Sequence, residues 1–289
     1  MPIVSSSRGR SRASAAMIAL STLGFVVTAG AFGACSDGEQ QPAANADGMA
    51  TAAPATPKTP AYTFDVVAEY PHDTAAFTQG LLWHEGRLFE STGQVGTSNI
   101  REVTLASGKV VRQQDLEEPH FGEGIVILGP TLYQITWQSG MAFTYDWKTF
   151  KRTGEFRYDG EGWGLTTDGT SIIMSNGSNV LIYRDPKTFA ATKAVEVKDH
   201  GNTVPQLNEL EWVKGEIWAN VWQKDSIARI DPATGEVTGW IDLTGILPPL
   251  DRTGKEDVLN GIAYDAATDK IHVTGKLWPK VYEIRVKEK

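Results

Sequence analysis

Short apolar segments that begin with a polar or aromatic residue recur at regular intervals along the chain. Five of them start at residues 79, 123, 163, 208 and 260, so the steps are 44, 40, 45 and 52 residues. In each case a turn follows, and a second apolar segment of strand length comes after the turn. A repeat of about 40 to 50 residues with several strands is typical of propeller blades. The pattern predicts an all-β fold, a five-bladed β-propeller with four antiparallel strands per blade.

The fifth repeat is shorter than the others. Its first two strands are predicted at 260–274, and only one further strand follows, at 281–286. Residues 62–70 alternate in polarity and are rich in β-branched and aromatic side chains, which predicts a strand that belongs to no repeat. We expect this N-terminal strand to pair beside residues 281–286, so that the N- and C-terminal strands close one blade and leave no exposed edge.

The first 60 residues differ in character from the rest. Arginines within residues 5–12, an apolar run at 15–30 and small residues before Cys35 form the layout of a secretory signal peptide over residues 1–35. Cys35 resembles the lipid-bearing cysteine of bacterial lipoproteins, although Phe32 stands where leucine is usual. Residues 36–60 are rich in Ala, Pro and Thr and predict a disordered linker. We expect an exported protein, either periplasmic or anchored by lipid at Cys35, with its folded domain at 61–289.

Charge and cysteine content limit the partners of this domain. Residues 1–60 hold 4 of the 27 basic and 3 of the 35 acidic residues, so the remainder has a formal charge of −9. An acidic domain without basic clusters argues against nucleic-acid binding. Its five histidines have no metal-ligand spacing and it has no cysteine, so no metal site and no cofactor are predicted. A cation held on the propeller axis by backbone carbonyls is left open, and we expect a monomer.

The loops that enter the innermost strands of a propeller line one mouth of the ring, so equivalent residues of different repeats meet there. This set contains carboxylates, amides, a lysine and aromatic residues, which suit a binding pocket better than a core. Its members are Phe77, Gln79, Phe121, Glu123, Trp137, Glu161, Trp163, Asn208, Trp222, Asn260 and Lys276. The remaining candidates for blade packing are Trp83, Trp212, Trp218, Trp240 and Trp278.

Seven motifs in order, spread over residues 62–286, resemble the plant and bacterial glutaminyl-peptide cyclotransferases. They are Phe77-Thr78-Gln79-Gly80-Leu81, Glu90-Ser91-Thr92-Gly93, Phe121-Gly122-Glu123-Gly124, Gly160-Glu161-Gly162-Trp163-Gly164-Leu165, Leu207-Asn208-Glu209-Leu210-Glu211, Asn220-Val221-Trp222 and Leu259-Asn260-Gly261-Ile262-Ala263-Tyr264. The resemblance implies a five-bladed propeller that converts the N-terminal glutamine of peptides or proteins to pyroglutamate and releases ammonia. It implies an active site formed by Phe77, Gln79, Phe121, Glu123, Trp137, Trp163, Asn208, Trp222 and Lys276.

This chemistry gives each residue type a task. The α-amine of the substrate must lose a proton, and Glu123 is placed to accept it and pass it to the departing ammonia. Gln79 and Asn208 can hydrogen-bond the reacting amide, while Lys276 can stabilise the oxyanion. Trp137, Trp163 and Trp222 are expected to bend the substrate side chain and exclude water, with Phe77 and Phe121 completing the binding surface.

Two other functions fit parts of the pattern. A five-bladed glycoside hydrolase needs two or three carboxylates across its pocket, where only Glu123 and Glu161 qualify and Lys276 has no obvious task. A lipid-anchored binding or assembly scaffold is the second alternative. Release of ammonia from a dipeptide that begins with glutamine distinguishes the cyclotransferase from both.

Overall fold

The structure is a computed structural model that describes residues 58–289. The predicted signal peptide, the lipidation site at Cys35 and most of the predicted linker lie outside the described residues. The described part is all-β, as the sequence predicts, with a single short 3-10 helix at Pro249–Asp251. It contains no helix that is long and apolar enough to cross a membrane.

The described part begins with one strand, β1 (Ala61–Pro71), and continues with three antiparallel sheets of four strands, each in chain order. The first sheet contains β2 (Thr78–His84), β3 (Arg87–Thr92), β4 (Asn99–Thr104) and β5 (Lys109–Asp115). The second contains β6 (Gly122–Leu128), β7 (Thr131–Thr136), β8 (Met141–Asp146) and β9 (Arg152–Arg157). The third contains β10 (Leu165–Thr167), β11 (Ile172–Met174), β12 (Val180–Arg184) and β13 (Ala191–Glu196).

A two-stranded hairpin and an eight-stranded sheet complete the fold. The hairpin consists of β14 (Lys198–Asp199) and β15 (Asn202–Thr203). The larger sheet takes β16 (Leu207–Val213), β17 (Glu216–Val221), β18 (Ser226–Ile230), β19 (Val237–Asp242), β20 (Leu259–Asp265), β21 (Lys270–Gly275) and β22 (Lys280–Glu288). Its order is β16-β17-β18-β19-β1-β22-β21-β20, so β1 joins two runs of consecutive strands.

The N-terminal strand pairs with the last strand, which confirms the predicted joining of the two chain ends. Strands β1 and β22 are antiparallel from the pair Tyr62 and Glu288 to the pair Pro71 and Lys280, with an irregularity after Val66. The other edge of β1 makes a short parallel contact with β19, at Ala61 opposite Trp240. Nothing in the repeat pattern predicts this second contact. The carbonyl of Pro60, assigned to the linker by the sequence, also accepts a hydrogen bond from the backbone N–H of Trp240.

The first strands of the four-stranded runs contact one another in a closed order, namely β2 with β6, β6 with β10, β10 with β16, β16 with β20 and β20 with β2. Their glycines permit the close approach. A Cβ at Gly124 would lie 2.5 Å from the backbone nitrogen of Leu165, and one at Gly164 would lie 2.1 Å from the carbonyl oxygen of Asn208. This spacing explains why the repeated motifs place glycine at the start of the strand.

The core lies between neighbouring sheets. One apolar cluster joins Ile173 and Leu181 of the third sheet to Leu207 and Ile217 of the next run. The five tryptophans predicted to pack between blades all belong to or contact such clusters, namely Trp83, Trp212, Trp218, Trp240 and Trp278. The ends of the innermost strands are therefore held firmly enough to place side chains around a site.

Candidate active site

One cavity of about 490 Å³ gathers all nine side chains that the sequence assigns to the active site. They are Phe77, Gln79, Phe121, Glu123, Trp137, Trp163, Asn208, Trp222 and Lys276. Each is located just before or at the start of a first strand, or just after the end of a second strand. The repeat equivalence therefore becomes proximity in space.

Gln79 and Glu123 form the polar floor of this cavity. The Gln79 Nε2 donates a hydrogen bond to the Glu123 Oε1 over 3.0 Å. Behind them, the Asn260 Nδ2 donates to the Gln79 Oε1 over 3.3 Å and to the carbonyl oxygen of Thr78 over 3.0 Å. Asn260, which the sequence places at the mouth, is fully buried and does not line the cavity. It fixes the orientation of the Gln79 amide so that the NH₂ group faces the carboxylate.

Glu123 and Lys276 are both buried charges without a close ionic partner. Burial raises the pKa of Glu123 well above its usual value, the charge of Glu161 adds to this, and Lys276 opposes it. Burial lowers the pKa of Lys276, against the opposing charges of Glu123 and Asp257. Neither side chain forms an ion pair within 4.0 Å in the part of the chain that the structure describes. Both pKa values are thus shifted toward neutrality, as proton transfer near neutral pH requires.

Aromatic rings form the walls. Phe77 and Phe121 meet edge to face with their centres 6.1 Å apart, and Phe121 and Trp137 do so at 5.7 Å. Trp163 and Trp222 lie nearly perpendicular at 5.8 Å. The Lys276 Nζ is 4.8 Å from the centre of the Phe77 ring, close enough for a cation–π contact. The cavity offers apolar faces above a small polar floor.

Glu161 supports two of these rings rather than standing free at the mouth. Its Oε2 accepts hydrogen bonds from the indole N–H groups of Trp137 over 2.8 Å and Trp163 over 2.9 Å. Partial burial acts to raise the pKa of Glu161, but hydrogen bonds from Trp163, Gln138 and Trp137 outweigh it and leave that pKa below its usual value. The sequence placed this carboxylate at the mouth without indicating its bonds to the indoles.

Asn208 lines the cavity, although the residue is only 2% exposed and its side-chain oxygen is covered by protein atoms. This Oδ1 accepts no hydrogen bond from any residue between 58 and 289. The carbonyl oxygen of Asn208 accepts from the hydroxyl of Ser175 over 2.6 Å, which holds the backbone in place. A buried acceptor without a partner is costly, so a rotation that brings the Oδ1 to an N–H donor of a bound molecule would be favourable.

Four further residues line the cavity that sequence reasoning missed, namely Gln94, Gln223, Asp257 and Val258. They lie in loops outside the repeated motifs. Gln94 and Gln223 have positive φ angles of 87° and 64°, a conformation that glycine or asparagine would signal but glutamine does not. The available clue is that Gln94, Gln223 and Val258 each adjoin a motif in the sequence.

Other features of the described residues lack this combination. A larger cavity of about 710 Å³ is bordered by charged groups that pair with each other, such as Lys214 with Asp269 and Lys270 with Glu283. Within residues 58–289, no group of three or more His, Cys, Asp or Glu side chains could hold a metal ion. The aromatic cavity around Glu123 is therefore the candidate active site.

Comparisons with known proteins identify the family of the chain. The family model for glutamine cyclotransferase matches residues 40–286. A glutaminyl-peptide cyclotransferase of Arabidopsis thaliana is 45% identical over 228 residues, which are 78% of this chain and 71% of that protein. The crystal structure of Myxococcus xanthus glutaminyl cyclase matches with a TM-score of 0.76 at 39% identity, covering 80% of this chain and 100% of that one. The chain belongs to the glutamine cyclotransferase family.

Proposed function

We propose that this protein is a glutaminyl-peptide cyclotransferase, an acyltransferase that converts the N-terminal glutamine of peptides or proteins to pyroglutamate with release of ammonia. The observation that carries the proposal is the buried Glu123, hydrogen-bonded by Gln79 on the floor of an aromatic cavity that also holds Lys276. Membership of the family supports it independently of the geometry.

In the proposed reaction, the α-amine nitrogen of the substrate forms a bond to the carbon of its own side-chain amide, and the bond from that carbon to the amide nitrogen breaks. The amine loses a proton to Glu123, and Glu123 returns the proton to the leaving nitrogen, which departs as ammonia. Burial raises the pKa of Glu123 toward the range in which one carboxyl group can perform both transfers. The atoms balance without metal, cofactor or water.

Lys276 and Asn208 are proposed to act on the two ends of the reacting amide. Lys276, buried at the cavity, is the donor that stabilises the negative charge on the amide oxygen in the transition state. Asn208 is proposed to turn its unpartnered Oδ1 into the cavity, where it accepts from an N–H group of the amide nitrogen that leaves. Removing either group is expected to lower kcat more than it raises KM.

The aromatic walls are proposed to select and bend the substrate. A glutamine side chain must fold back on its own amine to form a five-membered ring, and such a shape is favoured when rings restrict it on several sides. Trp163 and Trp222 meet at a near-perpendicular angle, and Phe77, Phe121 and Trp137 form a second aromatic group. Exclusion of water prevents the competing hydrolysis, which would yield glutamate.

Incubation of the purified protein with a dipeptide that begins with glutamine tests the function. The expected products are free ammonia and a pyroglutamyl peptide, and absence of both would refute the proposal. A glycoside hydrolase is disfavoured because both candidates for its second carboxylate are engaged: Glu161 is bound to two indoles, and Asp257 accepts the backbone N–H of Val258. A scaffold without activity would release no ammonia.

We also infer that the fold is a five-bladed propeller. The closed order of contacts among β2, β6, β10, β16 and β20 supports a ring of five innermost strands. In this interpretation the eight-stranded sheet contains two blades joined through β1, with β1 acting as the outer strand of the fifth. An experimental structure with another number of blades would overturn it.

For the N-terminal part, we propose export by a signal peptide over residues 1–35, with lipid attached to Cys35 and a linker at 36–60. The protein would then meet its peptide substrates outside the cytoplasm, as a monomer attached to a membrane only through the lipid. Mass spectrometry of the mature N-terminus tests this, since an unmodified terminus beyond Cys35 would contradict it.

A further inference from the structure

A buried charge network behind the cavity is not used by the proposed reaction. Its centre is Glu90, which begins the motif at 90–93 and is 1% exposed. Glu90 accepts hydrogen bonds from the His72 Nε2 over 3.0 Å, the Thr78 hydroxyl over 2.7 Å and the Arg101 Nε over 2.8 Å. Arg101 continues to Asp73, with 2.9 Å between its Nη1 and the Asp73 Oδ2. The two carboxylates carry one more unit of charge than the guanidinium balances, so one further positive charge would make the network neutral.

His72 supplies that charge. Its Nδ1 lies 2.7 Å from the carbonyl oxygen of Trp278, and its Nε2 lies 3.0 Å from the Glu90 Oε1. Both partners can only accept, because a backbone carbonyl has no proton to donate and Glu90 is ionised by its ion pair with the Arg101 guanidinium at 2.8 Å. Burial acts to raise the pKa of Glu90, but its charged neighbours and hydrogen bonds outweigh it and hold that pKa at about 2. A neutral imidazole has one N–H donor, whereas an imidazolium has two. Only the doubly protonated ring satisfies both contacts.

The groups around the ring agree with this state. Burial lowers the pKa of His72 and Arg101 adds to this, but the charge and hydrogen bond of Glu90 and the carbonyl of Trp278 outweigh them, so the pKa is raised overall. From strand β21, only the uncharged hydroxyl of Thr274 approaches the Nδ1, at 3.5 Å. The charged neighbours are thus Glu90 and Arg101, with Asp73 beyond the guanidinium.

The contacts of His72 join two segments that end in active-site residues. The backbone N–H of His72 donates to the carbonyl of Pro279 over 2.9 Å, and the N–H of Leu277 donates to the carbonyl of Ala76 over 2.7 Å. The segment 72–77 is thereby held against the turn at 276–279. Phe77 and Lys276 are the site residues of these two segments and lie in contact.

The turn itself needs such support. Leu277 has a positive φ of 62°, which is unfavourable by roughly 1 kcal/mol or more for a residue with a side chain. Two hydrogen bonds keep the backbone in this conformation. In the first, the N–H of Leu277 donates to the carbonyl of Ala76, and in the second, the carbonyl of Trp278 accepts from the His72 ring. Without the second bond, the backbone next to Lys276 is less constrained.

We propose that His72 is a positioning residue of this enzyme, which as a buried imidazolium bound to Glu90 and to the Trp278 carbonyl holds the turn of Lys276 against the segment of Phe77. The inference rests on the proposed cyclisation reaction. Loss of the proton would remove one of the two hydrogen bonds that His72 donates and would loosen the turn that holds Lys276 in the cavity.

The protonation state is tested directly by nitrogen-15 NMR of the His72 side chain in the wild-type protein at pH 7. We expect protons on both ring nitrogens. A neutral ring at this pH, with one nitrogen unprotonated, would overturn the inference whether or not the protein releases ammonia. Ammonia release by the wild-type protein tests the proposed function separately.

The effect on the site is tested with Glu90→Gln, which keeps the size of the side chain and removes the charge that maintains the imidazolium. Relative to the wild type at each pH, kcat/KM should fall about 10- to 100-fold at pH 8 and recover toward pH 6, where His72 is protonated again. The matched control is Asp73→Asn, which also removes a carboxylate from Arg101 but whose side chain makes no hydrogen bond to the His72 ring. Its kcat/KM should stay within about twofold of wild type at both pH values. A Glu90→Gln profile parallel to wild type, or an equal loss in Asp73→Asn, would refute the positioning role. If Glu90→Gln does not fold, His72→Gln replaces it, with a similar loss expected at both pH values.

Discussion

Replacing Glu123 by glutamine separates the two roles that a buried carboxylate can have at this position. The amide keeps the size of the side chain, and its oxygen can still accept the hydrogen bond that Gln79 donates to Glu123 over 3.0 Å. What disappears is the group that is proposed to exchange a proton with the substrate. Turnover should therefore fall while the fold remains intact.

The expected loss is large and lies in kcat. A positioned general acid or base contributes on the order of 10²- to 10⁴-fold, which corresponds to about 2.7 to 5.5 kcal/mol in the activation free energy. Stability should change little, since Glu123 has no ion pair within 4.0 Å among the described residues and its burial as an anion opposes folding. A change of less than about 1 kcal/mol in the free energy of unfolding would keep the melting temperature within about 4 °C of wild type.

Glu209→Gln is the matched control. Glu209 is also a buried carboxylate at the start of an innermost strand, but it does not line the cavity and accepts the backbone N–H groups of Leu81 and Ile262. An amide can accept only one of these bonds through its single oxygen, so stability should fall by about 1 to 3 kcal/mol. Its kcat should stay within a few-fold of wild type.

Ammonia release and thermal unfolding, measured on both variants, decide the matter. The reasoning predicts opposite patterns: loss of kcat with an unchanged melting temperature for Glu123→Gln, and the reverse for Glu209→Gln. Nearly normal turnover by Glu123→Gln, with a lowered melting temperature, would show that Glu123 stabilises Lys276 and would move the acid–base role elsewhere.

Three further outcomes are expected. Glu161→Ala removes the acceptor of two indoles, so KM for a glutaminyl dipeptide should rise about tenfold with a smaller change in kcat. The acid limb of the kcat/KM profile should also move to lower pH, because the charge of Glu161 helps to raise the pKa of Glu123. Burial raises the pKa of Glu211 from 4.5 to about 8, so the folded state binds more protons in this interval. The free energy of unfolding should therefore fall as pH rises through it, with a contribution from Glu211 of at most about 5 kcal/mol. Urea titrations should show a shallower slope in Glu211→Gln, and an unchanged slope would assign it to other groups. Deleting residues 61–70 removes the strand between β19 and β22 and should give insoluble protein. Deleting residues 1–57 should leave a soluble, folded domain. Soluble protein from the first deletion would contradict the role given to β1.

The sequence predicted which residues lie close together, but it did not predict the hydrogen bonds between their side chains. All nine site residues occupy equivalent places in repeats, and equivalence of position becomes proximity wherever first strands share a ring. The orientation of a side chain has no such rule. Asn260 occupies a mouth position in the repeat pattern and yet turns to the Gln79 amide, while the carboxylate of Glu161 turns to two indoles. These contacts depend on geometry between blades, which a pattern along one chain does not contain.

The same limit applies to the closing strand. The missing outer strand of the last repeat predicted that β1 pairs with β22, because an unpaired edge is unfavourable in a closed sheet. The parallel contact of β1 with β19 has no counterpart in any repeat, and it arises from only two residue pairs at the start of the strand. Signals of this length are too short to be read from polarity alone.

The position of the stabilising contacts explains how the cavity can hold unpaired charges. Glu123 and Lys276 are buried at an energetic cost, since each loses the solvation of water and finds no ionic partner within 4.0 Å in the described residues. Outside the cavity, Glu209 bonds the backbone of β2 and β20, and the side-chain oxygen of Asn220 accepts the backbone N–H of Gly261. The bonds of Glu209 connect three first strands directly, and the bond of Asn220 connects β17 to the first strand β20. Because these contacts stabilise the ring outside the cavity, the charges in the cavity need not pair with each other and can keep the shifted pKa values that the proposed proton transfer uses.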